Sequence, residues 1–222
     1  MSPRPSPLDL GSLSTGRAGR LPIVGGRPCL DFLNTTSGRG TAERREHLHT
    51  FGDLLAWAHH ADILGAEDTL ALARLARAKP AGARRMLTQA LALRETLHAV
   101  FEATVHDHQV PADAVVQLNR FIAGAAKATQ LAPTEGSLWR WSPDARRLER
   151  PLWSIIRSAA DLLTAGPLNR VKMCLGQGCG WIFLDETRNG RRRWCEMQVC
   201  GSRAKMHRYR HRRAVRRRPA KS

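Results

Sequence analysis

Four cysteines near the C-terminus form two pairs with the same internal spacing. Four residues separate Cys174 from Cys179 and Cys195 from Cys200, and fifteen residues lie between the pairs. Paired cysteines of this kind are typical of a tetrahedral zinc site. Zinc held by four thiolates has no open coordination position, so it crosslinks the chain and does not bind a substrate. We predict one structural Zn²⁺ on these four residues; a disulfide-bonded or unliganded set of thiols is the alternative.

Positive charge is concentrated in the same part of the chain. The 222-residue sequence has a formal net charge of +17, and residues 170–222 contain 16 Lys and Arg against 3 acids. Beyond Cys200 there are ten Lys or Arg and no Asp or Glu. Such a polycation favours a phosphate-rich partner, and a solvated tail that aids solubility is the alternative. Nucleic acid is therefore the leading predicted partner.

The rest of the composition is that of a globular protein with a real core. Hydrophobic residues make up 42% of the sequence. The first residues lack the apolar run of a signal peptide, and no stretch approaches the roughly 18 apolar residues that span a bilayer. We expect a cytoplasmic, nucleoid-associated protein with no membrane partner.

Apolar periodicity predicts a mainly α-helical fold for residues 21–168, after a disordered tail at residues 1–20. Thr50 and Asp53 form a capping-box pattern that begins one helix. The other helices are predicted at 67–79, at 81–106, after Pro111 and at 152–165. Periodicity does not distinguish a strand from a helical turn over residues 29–33. A minor β-hairpin is predicted to join residues 138–141 to residues 147–149.

Residues 169–218 are predicted to form a small treble-clef-like zinc module, followed by a tail at 219–222. The bulky residues after Cys179 indicate a knuckle and hairpin, and a basic helix is predicted from Ser202, with Ser202 as its N-cap. Trp181, Phe183 and Trp194 would supply a miniature core, although base stacking is an alternative role. The short connection at residues 166–170 indicates that the module contacts the helical domain. The fifth cysteine, Cys29, is predicted to be a small buried hydrophobe.

The motifs of this module resemble those of bacterial CGNR zinc-finger proteins, which join an N-terminal ABATE-like domain to a C-terminal finger. The resemblance covers about residues 21–213. Its matching residues are Cys174, Cys179-Gly180-Trp181, Phe183-Leu184-Asp185, Arg188-Asn189, Arg192-Arg193-Trp194-Cys195, Met197, Cys200-Gly201-Ser202-Arg203-Ala204-Lys205 and, near the N-terminus, Leu30-Asp31-Phe32-Leu33-Asn34-Thr35. Ser202 stands where the signature tetrapeptide has Asn. The resemblance implies a DNA-binding transcription regulator whose N-terminal domain senses a stress-related signal.

The candidate nucleic-acid contacts are basic residues around the second cysteine pair, and double-stranded DNA is the predicted ligand. Arg203 and Lys205 lie nearest the metal, so their anchored backbone suits base-edge or ordered phosphate contacts. The remaining candidates are Arg191, Arg192, Arg193, Arg208, Arg210, Arg212 and Arg213. An RNA-binding or ribosome-associated zinc protein remains the alternative, since charge alone does not distinguish DNA from RNA.

We expect no enzyme activity. The helical domain offers the histidine pairs His47/His49, His59/His60 and His106/His108, and none has the i, i+4 arrangement with a carboxylate that zinc hydrolases use. His207 and His211 are four apart, but a solvent or DNA-facing role is favoured over a second metal site. An unidentified small-molecule effector and a homodimer are left open.

Overall fold

The computed structural model describes residues 16–39, 41–131, 139–142 and 147–216, with the side chains of Trp139, His211 and residues 213–216 left out. Residues 1–15 of the tail predicted at 1–20, and the tail predicted at 219–222, lie outside the described residues. The prediction of disorder was wrong for residues 16–20, because Ala18–Arg20 form a 3-10 turn and Ala18 is fully buried in the hydrophobic core. Among the described residues, no helix combines the length and apolar content needed to cross a bilayer. The fold of the described part is mainly α-helical, with small antiparallel hairpins, as predicted.

The described residues form seven α-helices and six short strands. The helices are α1 Pro28–Leu33, α2 Phe51–His60, α3 Ala66–Ala78, α4 Pro80–Val105, α5 Ala112–Ala126, α6 Arg150–Ala165 and α7 Ser202–Arg216. The strands pair as β1 Thr36–Ser37 with β2 Arg45–Glu46, β3 Thr129–Leu131 with β4 Trp139–Trp141, and β5 Val171–Met173 with β6 Ile182–Leu184. Short 3-10 turns occupy Ala18–Arg20 and Leu168–Arg170.

Local signals explain where most of the helices begin. The predicted capping box is present at α2, where the Thr50 hydroxyl accepts from the Asp53 backbone N–H at 3.1 Å and Asp53 accepts from the Thr50 N–H at 2.8 Å. Proline occupies the first turn of α1, α4 and α6, where its missing N–H costs no helical hydrogen bond. The ambiguous segment 29–33 is helical, since it forms most of α1.

The core of the helical domain surrounds α1. Five of its six residues are buried, and α1 packs against both α4 and α6. The Phe32 ring lies 5.3 Å from the Trp57 ring of α2. Cys29 is fully buried, and burial raises the pKa of its thiol to about 12. The prediction that Cys29 is a small core residue is confirmed.

The predicted hairpin at 138–149 was wrong in its pairing. Residues 139–141 do form a strand, but this strand pairs with β3, directly after α5. Residues 147–149 form a turn into α6, in which the Arg150 N–H donates to the Arg147 carbonyl at 3.0 Å. Leu148 is buried against the helical core. Its hydrophobicity therefore serves helix packing, which sequence periodicity over three residues does not distinguish from a strand. Residues 138 and 143–146 lie outside the described residues.

The zinc module begins with the β5–β6 hairpin and packs directly on the helical domain, as the short connection predicted. Val171, Ile182 and Leu184 belong to the same buried cluster as the helices. The Leu184 N–H donates to the Gly25 carbonyl at 2.8 Å, and the Trp181 indole N–H donates to the Thr36 carbonyl at 2.9 Å. The two predicted domains thus share one hydrophobic core.

Candidate metal centre and basic helix

The two cysteine pairs converge on one point between the β5–β6 hairpin and α7. The Sγ atoms of Cys174, Cys179, Cys195 and Cys200 all lie within 4.8 Å of one another. The Sγ atom of Cys195 is 3.7 Å from that of Cys179 and 3.6 Å from that of Cys200. Tetrahedral zinc with Zn–S bonds of about 2.3 Å requires sulfur atoms about 3.8 Å apart. The four residues therefore fit a closed, four-thiolate zinc site.

Backbone groups prepare this cluster for negative charge. The backbone N–H groups of Cys195 and Gly176 donate to the Sγ atom of Cys174 at 3.3 and 3.4 Å. Hydrogen bonds from the Cys179 and Cys195 thiols, together with these backbone donors, lower the pKa of Cys174, whereas their interactions with Cys174 and burial raise the pKa values of Cys179, Cys195 and Cys200. Four clustered thiolates repel one another unless a cation neutralises them. The donor set and its hydrogen bonds are therefore those of a metal site.

Two glycines allow the first cysteine pair to form a tight knuckle. A side chain at Gly176 would place its Cβ 2.9 Å from the Sγ atom of Cys200, which is too close. Gly180 has a φ of +67°, a conformation that favours glycine, and its Cα faces the Arg39 side chain. The knuckle is closed by the Cys174 N–H, which donates to the Trp181 carbonyl at 2.8 Å. Glycine at these positions lets the chain wrap the metal position closely.

Phe183 forms the core of the finger, as predicted. It is fully buried, and Trp181 and Trp194 pack against its cluster while remaining partly exposed. The Arg192 guanidinium lies 4.2 Å above the Phe183 ring. Its nitrogens donate to the carbonyls of Val24 at 2.9 Å and Trp194 at 3.1 Å, and also to the carbonyl of Cys195. Arg192 thus clamps the second cysteine pair onto the N-terminal segment.

The buried carboxylate of Asp185 holds the loop between the cysteine pairs by hydrogen bonds. Its carboxylate accepts from Lys172 Nζ at 2.7 Å, from the Thr187 hydroxyl at 2.5 Å and from the Arg192 N–H at 2.8 Å. These hydrogen bonds outweigh the effect of burial and hold the pKa of Asp185 well below its ordinary value. Asp185 belongs to the motif Phe183-Leu184-Asp185 that carries the family resemblance, but its partners come from the tertiary structure.

Cys200 is carried on a π-helical turn, Met197–Gly201, which leads directly into α7. The prediction that Ser202 caps the basic helix was wrong. Its backbone is already helical, and its hydroxyl donates to the Met197 carbonyl at 3.3 Å. The chain turns helically before Ser202, so the free N–H groups that a cap would satisfy lie earlier in the sequence.

The predicted nucleic-acid residues do not form one group. Arg191, Arg193 and the described side chains of α7 at Arg203, Lys205, Arg208, Arg210 and Arg212 are exposed. In the described part of the chain, none of them forms an ion pair with an acid. Arg192 differs because its guanidinium binds backbone carbonyls. The side chain of Arg213 lies outside the described residues.

Sequence reasoning missed the contacts that join the two domains. Asn34 lies in the N-terminal motif, and its side chain hydrogen-bonds the backbone of Ile182 in β6. The sequence showed a short apolar segment that ends at Asn34. Nothing in it indicated that the Asn34 side chain binds a residue 148 positions away.

The family comparisons agree with this two-part architecture. Residues 26–166 match the ABATE family, described as "Putative stress-induced transcription regulator", and residues 170–213 match the CGNR zinc finger. No curated protein matches the chain. The finger match, together with the four-sulfur cluster, assigns one structural zinc to Cys174, Cys179, Cys195 and Cys200. The ABATE match covers more than half of the 222 residues. The chain therefore belongs to the ABATE family and carries a C-terminal CGNR zinc finger.

Proposed function

We propose that this protein is a transcription regulator that binds double-stranded DNA through α7. One observation carries the proposal: α7 begins at the zinc cluster and presents exposed, unpaired cations along its described length. Zinc would fix the first turn through Cys200. The family's description supports a regulatory role, and regulation by this route takes place in the cytoplasm at the nucleoid.

The charge on α7 suits a polyanion because the helix has no acidic residue, and none of its described cations forms an ion pair with a described acid. Ala204 is half-buried, and the described side chains from Lys205 to Arg210 are exposed. A helix that is polar on all sides gains little from packing and is stabilised by phosphates that neutralise its repulsion. An α-helix also fits the major groove of B-DNA.

The helical domain would act as the sensor in this proposal. It shares a hydrophobic core with the finger through β5 and β6. A rearrangement of α1 or α4 would therefore be transmitted to the hairpin that carries the first cysteine pair. A 460 Å³ hollow between α5 and α6, bordered by Phe121, Trp153 and Ile156, offers a place where a small effector could enter. Enzyme activity is no part of the proposal.

The test is a binding titration of the zinc-loaded protein against a random-sequence duplex across a salt series. If about six phosphates are neutralised, the slope of log K against log salt is expected near about −5. Exchange of Arg203 and Lys205 for Gln should weaken binding. Arg84→Gln removes an exposed arginine on α4 and should leave binding unchanged. A slope near zero would contradict the proposal.

A structured RNA titrated at the same salt concentrations separates the alternative. Tighter binding to the RNA than to the duplex would favour an RNA-binding or ribosome-associated protein. A zinc-free sample provides the second control, because removal of the metal should release α7 and abolish the interaction. Binding that persists unchanged without zinc would contradict a zinc-positioned helix.

A further inference from the structure

A cleft lies between α7 and the helical domain. Its volume is about 1460 Å³, and the zinc knuckle around Gly176 and Cys179 lines it. One wall is made by the finger, including α7. The opposite wall is made by the segment around Arg17 and by the β1–β2 hairpin, which carries Arg45 and His47.

The lining of this cleft is basic overall, and both the finger and the helical domain contribute arginines to it. Two carboxylates, Glu43 and Glu196, and two histidines, His47 and His207, also line it. The arginines that line it are Arg17, Arg45, Arg193, Arg203, Arg208 and Arg210. Arg17 and Arg45 are exposed, and neither forms an ion pair with a described acid. The helical domain thus contributes positive charge to a space that faces the basic helix.

Helical geometry sorts the side chains of α7 into two faces. Arg203, Met206, His207 and Arg210 recur at i, i+3, i+4 and i+7, and all four line the cleft. Lys205, Tyr209 and Arg212 recur at i, i+4 and i+7 and do not line it. Cations are present on both faces, so a ligand can contact the helix from inside and outside the cleft at once.

We propose that one sugar-phosphate strand of the DNA duplex lies in the cleft, and that Arg17 and Arg45 bind its phosphates. This inference rests on the proposed function. A helix in the major groove has a sugar-phosphate strand on each side, because these strands bound the groove. On the side that faces the helical domain, the bounding strand must pass between α7 and the opposite wall. Arg17 and Arg45 contact the phosphates of this strand from the opposite wall, and Arg203 and Arg210 contact them from α7.

The β1–β2 hairpin of the opposite wall is held in place before any ligand binds. The Arg94 guanidinium, which is 1% exposed, donates to both carboxylate oxygens of Glu46, the neighbour of Arg45 in β2. Arg94 also donates to the Thr35 hydroxyl at 3.1 Å. His47 Nε2 lies 2.9 Å from the Ser37 hydroxyl of β1. Because the hairpin is fixed from both strands, a phosphate contact by Arg45 would require little ordering of the backbone.

The experiment measures duplex binding of the full-length, zinc-loaded protein across a salt series. The double variant R17Q/R45Q is compared with R77Q, which removes an exposed arginine of α3 outside the cleft. Loss of two phosphate contacts should reduce the salt slope by about 1 to 2 and weaken binding about tenfold at moderate salt. Glu43→Gln removes a negative charge from the same wall and should strengthen binding. R77Q should behave as the unmodified protein.

The outcomes separate this inference from the proposed function. Lys205 and Arg212 lie on the outer face of α7, so their exchange for Gln tests the helix alone. If that exchange weakens binding while R17Q/R45Q and Glu43→Gln match R77Q, the cleft carries no strand and the proposed function stands. If every variant binds as the unmodified protein does, both proposals fall. Equal thermal unfolding and one zinc per chain establish that each variant is folded.

Discussion

The side-chain amide of Asn34 pairs with the backbone of Ile182 as a neighbouring strand would. Its Nδ2 donates to the Ile182 carbonyl at 2.9 Å, and the Ile182 N–H donates to its Oδ1 at 3.0 Å. Both residues are buried. One side chain at the end of α1 therefore satisfies both polar groups of a residue in the zinc module, and this fixes how the two parts of the chain meet.

Replacing Asn34 by Ala should destabilise the protein by about 2–4 kcal/mol, because it leaves two buried backbone groups of Ile182 without a partner. Urea unfolding of the zinc-loaded protein measures the loss. Asn119, which is exposed on α5, supplies the matched control, and its exchange for Ala should change the free energy of unfolding little. Equal stabilities of the two variants would show that the pairing contributes nothing net.

Two neighbouring arginines should differ in their contribution to stability. Arg192→Lys should lower the free energy of unfolding by about 1–3 kcal/mol. Lysine lacks the planar guanidinium that stacks on the Phe183 ring and donates to several backbone carbonyls. Arg191 is exposed, so Arg191→Lys should leave unfolding unchanged. Urea unfolding compares the two variants. The structural role of Arg192 is contradicted if both variants are as stable as the parent.

The five thiols should react in two classes. Zinc protects Cys174, Cys179, Cys195 and Cys200, and a chelator should expose these four to an aromatic disulfide reagent at pH 8. Cys29 should react only after global unfolding, since burial raises its pKa to about 12 and excludes the reagent. Thiol counts with and without chelator and denaturant check this. The Cys29→Ala variant should retain one zinc, whereas the Cys195→Ser variant should lose it. The burial of Cys29 is contradicted if a fifth thiol reacts with the reagent when chelator is present without denaturant.

Asp31 should make the protein less stable as the pH rises. Its Oδ1 accepts from the N–H groups of Val24 and Gly25 at 2.8 and 2.7 Å, but burial outweighs these bonds and raises its pKa from 3.8 to about 6. The folded state therefore holds a proton that the unfolded state releases between pH 4 and 6. Ionisation of this group should cost up to about 3 kcal/mol of stability by neutral pH.

Asp31→Asn isolates this effect, because the amide oxygen still accepts from both N–H groups and the side chain does not ionise. The stability of the variant relative to the parent should increase as the pH rises from 4 to 7. Urea unfolding at several pH values, with excess zinc throughout, provides the comparison. Two parallel stability curves would show that Asp31 does not titrate differently in the folded state.

Features that depend on neighbours in the sequence were predictable from the sequence alone. The repeated cysteine spacing indicated the zinc site because ligand number and chain reach limit where four thiolates can meet. The capping box at Thr50 and Asp53 and the apolar stripes of the helices are likewise local patterns. The excess of arginine after Cys200 indicated the basic helix, since the charge of a segment follows from its composition alone.

Features that depend on distant partners were decided by the tertiary structure. Arg192 has the same charge as Arg191, but it clamps the fold because Phe183 and four carbonyls surround it. The sequence did not show that residues 139–141 pair with β3, and the expected partner strand places Leu148 in the helical core instead. Spacing along the chain determines which groups can meet locally, whereas burial and hydrogen bonding across the shared core determine which of them do.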